Sequence, residues 1–147
     1  MKLSTRVRYG LRALVELADI QKDSPVLLDT VAKRQDISRK YLDSIFSGFK
    51  AAGLVRSTRG AGGGFVLGKP ANAITIADVY RALEGDFRLV DCVQGAAKCA
   101  ALDYCVTTAF WQHFSKVLEV EMEKVTVAQL VESARRKRDT GSSMYYI

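Results

Sequence analysis

The spacing most able to do chemistry in this chain is Cys92-x6-Cys99-x5-Cys105. Thiolates ligate iron-sulfur clusters and zinc and also serve as redox-sensing thiols, and three in a glycine-containing stretch can converge on one small object. Spacing alone leaves those uses open, beside three cysteines with no shared role. His113 is the single histidine. With no nucleophile and base paired around it, no enzyme is expected.

A second constellation is polar and basic. Ser38, Arg39, Lys40, Tyr41, Asp43 and Ser44 open a helical stretch whose hydroxyls and cations suit phosphates or base edges, and the Asp43 carboxylate can accept from the amine of cytosine. Arg59-Gly60 follows at the edge of a glycine cluster. A slender tip carrying one guanidinium can enter a minor groove. The bland alternatives are a solvated helix face and an exposed loop arginine. Two apparent nucleotide motifs fail. Gly63-x-x-x-x-Gly68-Lys69 is followed by Pro70 instead of a hydroxyl residue, and Gly60-Ala61-Gly62 leads into strand-like Phe65-Val66-Leu67 with no βαβ unit. The run Arg135-Arg136-Lys137-Arg138 reads as a solvated helix end that the helix dipole favours.

Those residues need elements to hold them. Val7, Leu11, Leu14, Val15 and Ala18 recur at helical spacing behind a capping Ser4 or Thr5, which predicts a helix over 4–20. A short helix over 27–34 buries Leu28, Val31 and Ala32. After a three-residue connection, a third runs from the capping Ser38 to Ala52. Its inner stripe is Tyr41, Leu42, Ile45, Phe46 and Phe49, and Gly53 stops it. Two short helices so joined form a helix-turn-helix. The β-prone runs 54–58 and 65–67 around the glycines form a hairpin wing. Thr75 caps a fourth helix that ends before Gly85. Residues 86–101 lose periodicity. Val106, Phe110, Phe114, Val117, Leu118 and Met122 then predict a helix over 102–125, roughly 36 Å long, with Cys105 on its first turn. Such an apolar stripe exceeds what a small winged domain needs and predicts a partner subunit. A last helix spans 126–137.

Composition sets the outer limits. With 147 residues, 48% hydrophobic and 26% charged, the chain fits one domain with an appended dimerisation element. No apolar stretch suits export or a membrane span, and an odd cysteine count fits a reducing cytoplasm. The net charge of +6 is uneven: residues 1–72 carry +7 and residues 73–147 carry −1. A basic half beside a near-neutral half predicts that the first half meets a polyanion.

Together these motifs resemble the IscR/NsrR-like family of winged helix-turn-helix transcription regulators, which includes CymR-type proteins. The resemblance rests on Arg8-Tyr9-Gly10-Leu11-Arg12-Ala13-Leu14, on Ile37-Ser38-x-x-Tyr41-Leu42, and on Gly53-Leu54-Val55-x-Ser57-x-Arg59-Gly60-x-Gly62-Gly63-Gly64-Phe65. It continues through Ile76-x-Asp78-Val79 and the cysteines to Ala109-Phe110-Trp111. It implies a homodimeric regulator in which Cys92, Cys99 and Cys105 hold an iron-sulfur cluster, the 2Fe-2S type ahead of 4Fe-4S. The chain departs from the pattern at Thr108, where the 2Fe-2S members have a histidine, and at Arg8, where the NsrR-like branch has a carboxylate. Its first cysteine gap is also one residue longer.

The expected architecture is mainly α with a small β-hairpin wing. A winged helix-turn-helix DNA-binding domain over 1–84 is followed by a cysteine-bearing sensor loop over 85–105, dimerisation helices over 102–137 and a flexible tail over 138–147. The expected function is a cytoplasmic homodimeric regulator on an imperfectly palindromic double-stranded DNA, controlled by the cluster. The alternatives are a cluster-free thiol- or metabolite-responsive regulator and a winged-helix protein-interaction module.

Overall fold

A computed structural model describes residues 3–90 and 104–143. Cys92 and Cys99 lie outside the described residues. Helix α1 (Thr5–Ile20) is capped by Ser4, whose hydroxyl accepts from Val7 N at 3.2 Å. Its buried face is Val7, Gly10, Ala13, Leu14 and Leu17. Gly10 is required by close approach: a Cβ there would sit 2.5 Å from Leu83 Cδ1 and 3.1 Å from Phe49 Cζ.

Helix α2 (Leu28–Gln35) starts without a side-chain cap, as expected of Leu27 at that position, and buries Leu28, Val31 and Ala32. Asp36, left-handed at φ 52°, turns the chain. Ser38 then caps α3 (Arg39–Ala51) by accepting from Tyr41 N at 3.3 Å. The end of α3 is a two-bond C-terminal lock around Gly53 at φ 70°: Leu54 N donates to Phe49 O at 2.9 Å and Gly53 N to Lys50 O at 3.1 Å. Leu42, Ile45, Phe46 and Phe49 fill the core beneath α3, while Tyr41 is only half-buried.

Strands β1 (Val55–Thr58) and β2 (Gly64–Leu67) pair antiparallel with Val55 opposite Leu67 and Thr58 opposite Gly64. Val26 adds a one-residue bridge to Phe65, through bonds of 2.9 and 2.8 Å. A Cβ on Gly64 would lie 2.5 Å from Val26 O, so glycine is what permits that bridge.

After a 3-10 turn at Ala71–Ala73, α4 (Ile76–Glu84) opens on a reciprocal capping box between Thr75 and Asp78 and stops at Gly85, φ 85°. Helix α5 (Thr108–Glu123) is 16 residues long, about 24 Å. It is shorter than the helix expected over 102–125, and Cys105 precedes it instead of sitting on its first turn. Helix α6 (Val127–Ser143) continues beyond Lys137, into residues expected as tail. It packs on α1, with Val127 and Val131 buried in the main core. The chain entering α6 is stitched to the start of α4 by Ile76 N to Val125 O at 2.9 Å and Val127 N to Ile74 O at 2.8 Å.

Candidate nucleic-acid interface and cysteine site

The outer face of α3 exposes Arg39, Lys40, Asp43, Ser44, Ser47 and Lys50. Arg39 and Asp43, which the sequence reading treats as separate contacts, are partners. Arg39 Nε lies 3.2 Å from Asp43 Oδ1, and its Nη1 reaches Asp29 on α2 at 2.8 Å. Hydrogen bonding to Asp29, then to Asp43, raises the guanidinium pKa. Arg39 therefore braces the two helices of the helix-turn-helix, and Lys40 is the freer cation: among the described residues it enters no ion pair. The Ser38 oxygen accepts the cap bond, which leaves its proton available to a phosphate. Tyr41 meets Tyr9 edge-on at 6.0 Å, and Arg12 lies over that Tyr9 ring at 5.4 Å. Tyr41 is thus half committed to packing. The Ser44 carbonyl accepts from Arg6 of α1 at 3.4 Å, and the residue is exposed.

At the wing, Arg59 is exposed at the tip beside Gly60, whose φ of 102° suits glycine. Gly63 closes the tip with a bond from its N to Gly60 O at 2.9 Å; a Cβ on Gly63 would strike Thr58 O at 2.6 Å. The wing is fixed to α3 by Phe65 of β2 packing edge-on against Phe46 at 5.0 Å. Arg56 was missed by the sequence reading. It is exposed on β1, opposite Val66, and free of ion pairs among the described residues, as are Arg59, Lys50 and Lys69. The signal was there in the strand alternation that turns Val55 inward and Arg56 outward.

Winged helix-turn-helix geometry, a braced recognition helix and unpaired cations on both protruding parts now meet what comparison with known proteins shows. The model of the Rrf2 family, described as an iron-dependent transcriptional regulator, matches residues 3–133. This chain belongs to the Rrf2 family. It is 37% identical over 131 residues to the HTH-type transcriptional regulator IscR of Yersinia enterocolitica, covering 89% of this chain and 79% of that one. Among solved structures, CymR, the global cysteine regulator of B. subtilis, matches with a TM-score of 0.72 at 32% identity, covering 90% of this chain and 98% of CymR. T. potens IscR matches with a TM-score of 0.73 at 33% identity, covering 91% and 88%. The Rrf2 chain described here is accordingly a DNA-binding transcription regulator and not an enzyme. Among its described residues no helix is long and apolar enough to cross a membrane.

Of the three cysteines of this Rrf2 protein, Cys105 is described. It is half-buried and unpaired just ahead of α5. Its Sγ lies 3.2 Å from Thr107 Oγ1. The hydrogen bond with the Thr107 hydroxyl is the largest influence holding the thiol down to about 7. Thr108 is the first residue of α5. Among the described residues, no three His, Cys, Asp or Glu side chains gather into a metal site. His113 is exposed on α5 beside Lys116 and Val117.

Helix α5 presents two faces. Phe110, Phe114, Val117 and Val120 are exposed, Phe110 at 56%, with the Phe110 and Phe114 rings stacked at 5.9 Å. Leu118 and Met122, placed in the same stripe by the sequence reading, instead turn toward α4. Arg81 of α4 clamps that side to Glu119 at 2.5 Å and Glu123 at 2.6 Å.

Proposed function

We propose that this protein binds an imperfectly palindromic operator as a homodimer, with α3 in the major groove and the wing tip in the minor groove. The carrying observation is that Lys40, Lys50, Arg56 and Arg59 project from α3 and the wing with no carboxylate partner among the described residues. Ser38, Lys40 and Ser44 contact phosphates or base edges, Arg39 holds Asp43 in place, Tyr41 backs the helix, and Arg59-Gly60 enters the groove. Dimerisation runs through the outer face of α5. Its stripe of aromatic and branched side chains suits burial against its own copy, because the same patch on both subunits makes a closed two-fold interface.

Cys92, Cys99 and Cys105 together hold an iron-sulfur cluster that controls operator binding, of the 2Fe-2S type ahead of the 4Fe-4S. The donor set fits such a group. Cys105 is already poised between thiol and thiolate at neutral pH, and thiolate is the form that ligates iron. Thr108, a neutral hydroxyl, is a poor fourth ligand. When bound, the cluster supplies a centre sensitive to oxidants and small reactive ligands. Cys105 sits at the head of α5, and the Arg81 clamp ties α5 to α4, so the thiol and the winged body are mechanically linked.

The low Cys105 value also favours a second reading, a cluster-free thiol switch; a related structure is Staphylococcus aureus CymR in oxidised form. Anaerobic purification decides between them. Bound iron and sulfide lost in each Cys→Ala variant, with altered operator affinity, support the cluster. Iron-free wild-type protein whose operator affinity responds to thiol oxidation supports the switch.

A further inference from the structure

We infer that the space between α4, residues 86–90 and α5 is a binding site for a small, mostly apolar molecule carrying one hydrogen-bonding group, a compound of the phenol class. The site stands apart from the outer face of α3 and the wing, and Cys105 is not among its lining residues.

A cavity of about 160 Å³ lies there, walled by Tyr80 of α4, Phe87 and Leu89 of the connecting segment, and Leu118 and Met122 of α5. The rings of Tyr80 and Phe87 stack at 4.3 Å with an angle of 19° between their planes. They form a flat wall suited to a third ring. Arg88, also at the wall, has its guanidinium turned to Asp86 at 3.1 Å.

Ser115 completes the lining and decides the chemistry. It is the one buried residue of α5, at 5% exposure, and its Oγ has no hydrogen-bond partner among the described residues. A hydroxyl is the wrong choice for packing at the most buried position of a helix, since an unpaired polar atom in an apolar surround destabilises the fold. Water is a poor occupant, because a buried water requires two to four polar partners and the wall around Ser115 is largely apolar, with Arg88 turned to Asp86. Apolar cavities of roughly 150 Å³ stay dry and take up a single aromatic ring. A ring with a hydroxyl satisfies both the walls and Ser115. Entry is open from the neighbouring hollow of about 470 Å³, which shares Tyr80, Arg88 and Leu89 with the cavity and is flanked by Trp111.

The test titrates phenol, and benzene as its hydroxyl-free counterpart, into the full-length protein labelled at backbone nitrogen and methionine methyls, read by nuclear magnetic resonance. Saturable shifts at the Met122 methyl and the Ser115 amide are expected, with phenol bound about five-fold more tightly than benzene. Ser115→Ala should abolish that preference while keeping benzene binding. It should also melt no lower than wild type, since it deletes an unpaired group. Leu118→Trp, which fills the space, should abolish both. Equal binding of the two probes by the wild type, or a phenol preference that survives Ser115→Ala, would overturn the proposal. Absence of any saturable shift, as when the chain's own residues fill the space, overturns it as well.

Discussion

The winged body and α5 are built on opposite plans. In the body, α1 to α4 and the first half of α6 close over a shared core in which Leu14, Leu17, Leu42, Ile45, Phe46, Phe49 and Ile74 are almost fully buried. Helix α5 has aromatic residues of similar size but turns Phe110 and Phe114 outward, burying one serine. The first region buries its large side chains within itself, whereas the second leaves its aromatic face uncovered among the described residues. Residue type alone does not distinguish the two; what surrounds the residue does.

The largest expected effect breaks the body. Phe49→Ala removes a ring packed against Phe46 and over Gly10 and should cost about 3 to 5 kcal/mol in urea unfolding. Phe114→Ser on α5 should leave the helical circular dichroism of the monomer intact yet weaken self-association by about 2 to 4 kcal/mol, read by sedimentation. Should Phe114→Ser unfold the chain instead, or leave dimerisation unaltered, the contrast between the two regions is false.

Within the body, the cations differ in the same way. Arg59→Ala should lower operator affinity by about 1 to 3 kcal/mol, because no carboxylate among the described residues competes for that guanidinium. Arg39→Ala should cost less in a fluorescence-anisotropy titration, since Arg39 already holds Asp29 and Asp43. A larger loss from Arg39 than from Arg59 would reverse their assigned roles.

The smallest effect tests the seam between α1 and α6. Burial alone would raise the Asp19 carboxyl, but hydrogen bonds from Arg135 at 2.7 Å and Arg138 at 2.6 Å outweigh it and hold the group below its ordinary 3.8. A carboxyl lowered on folding contributes stability above its unfolded value and loses it as pH falls through the folded one. Both arginines are about half exposed, so solvent screening limits the contribution to about 1 kcal/mol. Asp19→Asn should therefore lower the chemical-denaturation midpoint at pH 7, with the difference from wild type starting to shrink as pH falls past 3.8 and disappearing only below the lowered folded value. A difference undiminished in acid would mean that Asp19 acts by shape and not charge.

Much of the winged body is legible in the sequence because its signals are local. Ser4, Ser38 and Thr75 each cap within three residues of the amide they satisfy, and Gly53 ends α3 through adjacent bonds. The parts that were not legible depend on distance along the chain. Arg39 finds Asp29 on another helix, and Asp19 is met by arginines 116 and 119 residues later. The face of α5 is ambiguous in the sequence because Val117 and Leu118 are adjacent, so one apolar stripe can be drawn through either. Only the position of α4 shows which turns inward. The start of α5 carries no local signal, because no side chain caps it at Thr107. Candidate contacts on α3 and the wing followed from the pattern, but the division between bracing Arg39 and free Lys40 did not.

The seam that joins the entry of α6 to the start of α4 also sets an order of events during synthesis. Val127 and Val131 join the core that α1 faces, so part of the hydrophobic face of α1 is closed by a segment far later in the chain. Contacts of such sequence separation form slowly and late. On the ribosome, the amino-terminal half has recognition helix and wing but lacks part of the floor beneath them until α6 emerges. A nascent chain halted before Val127 would expose that floor to chaperones and proteases instead of presenting a finished reader to DNA.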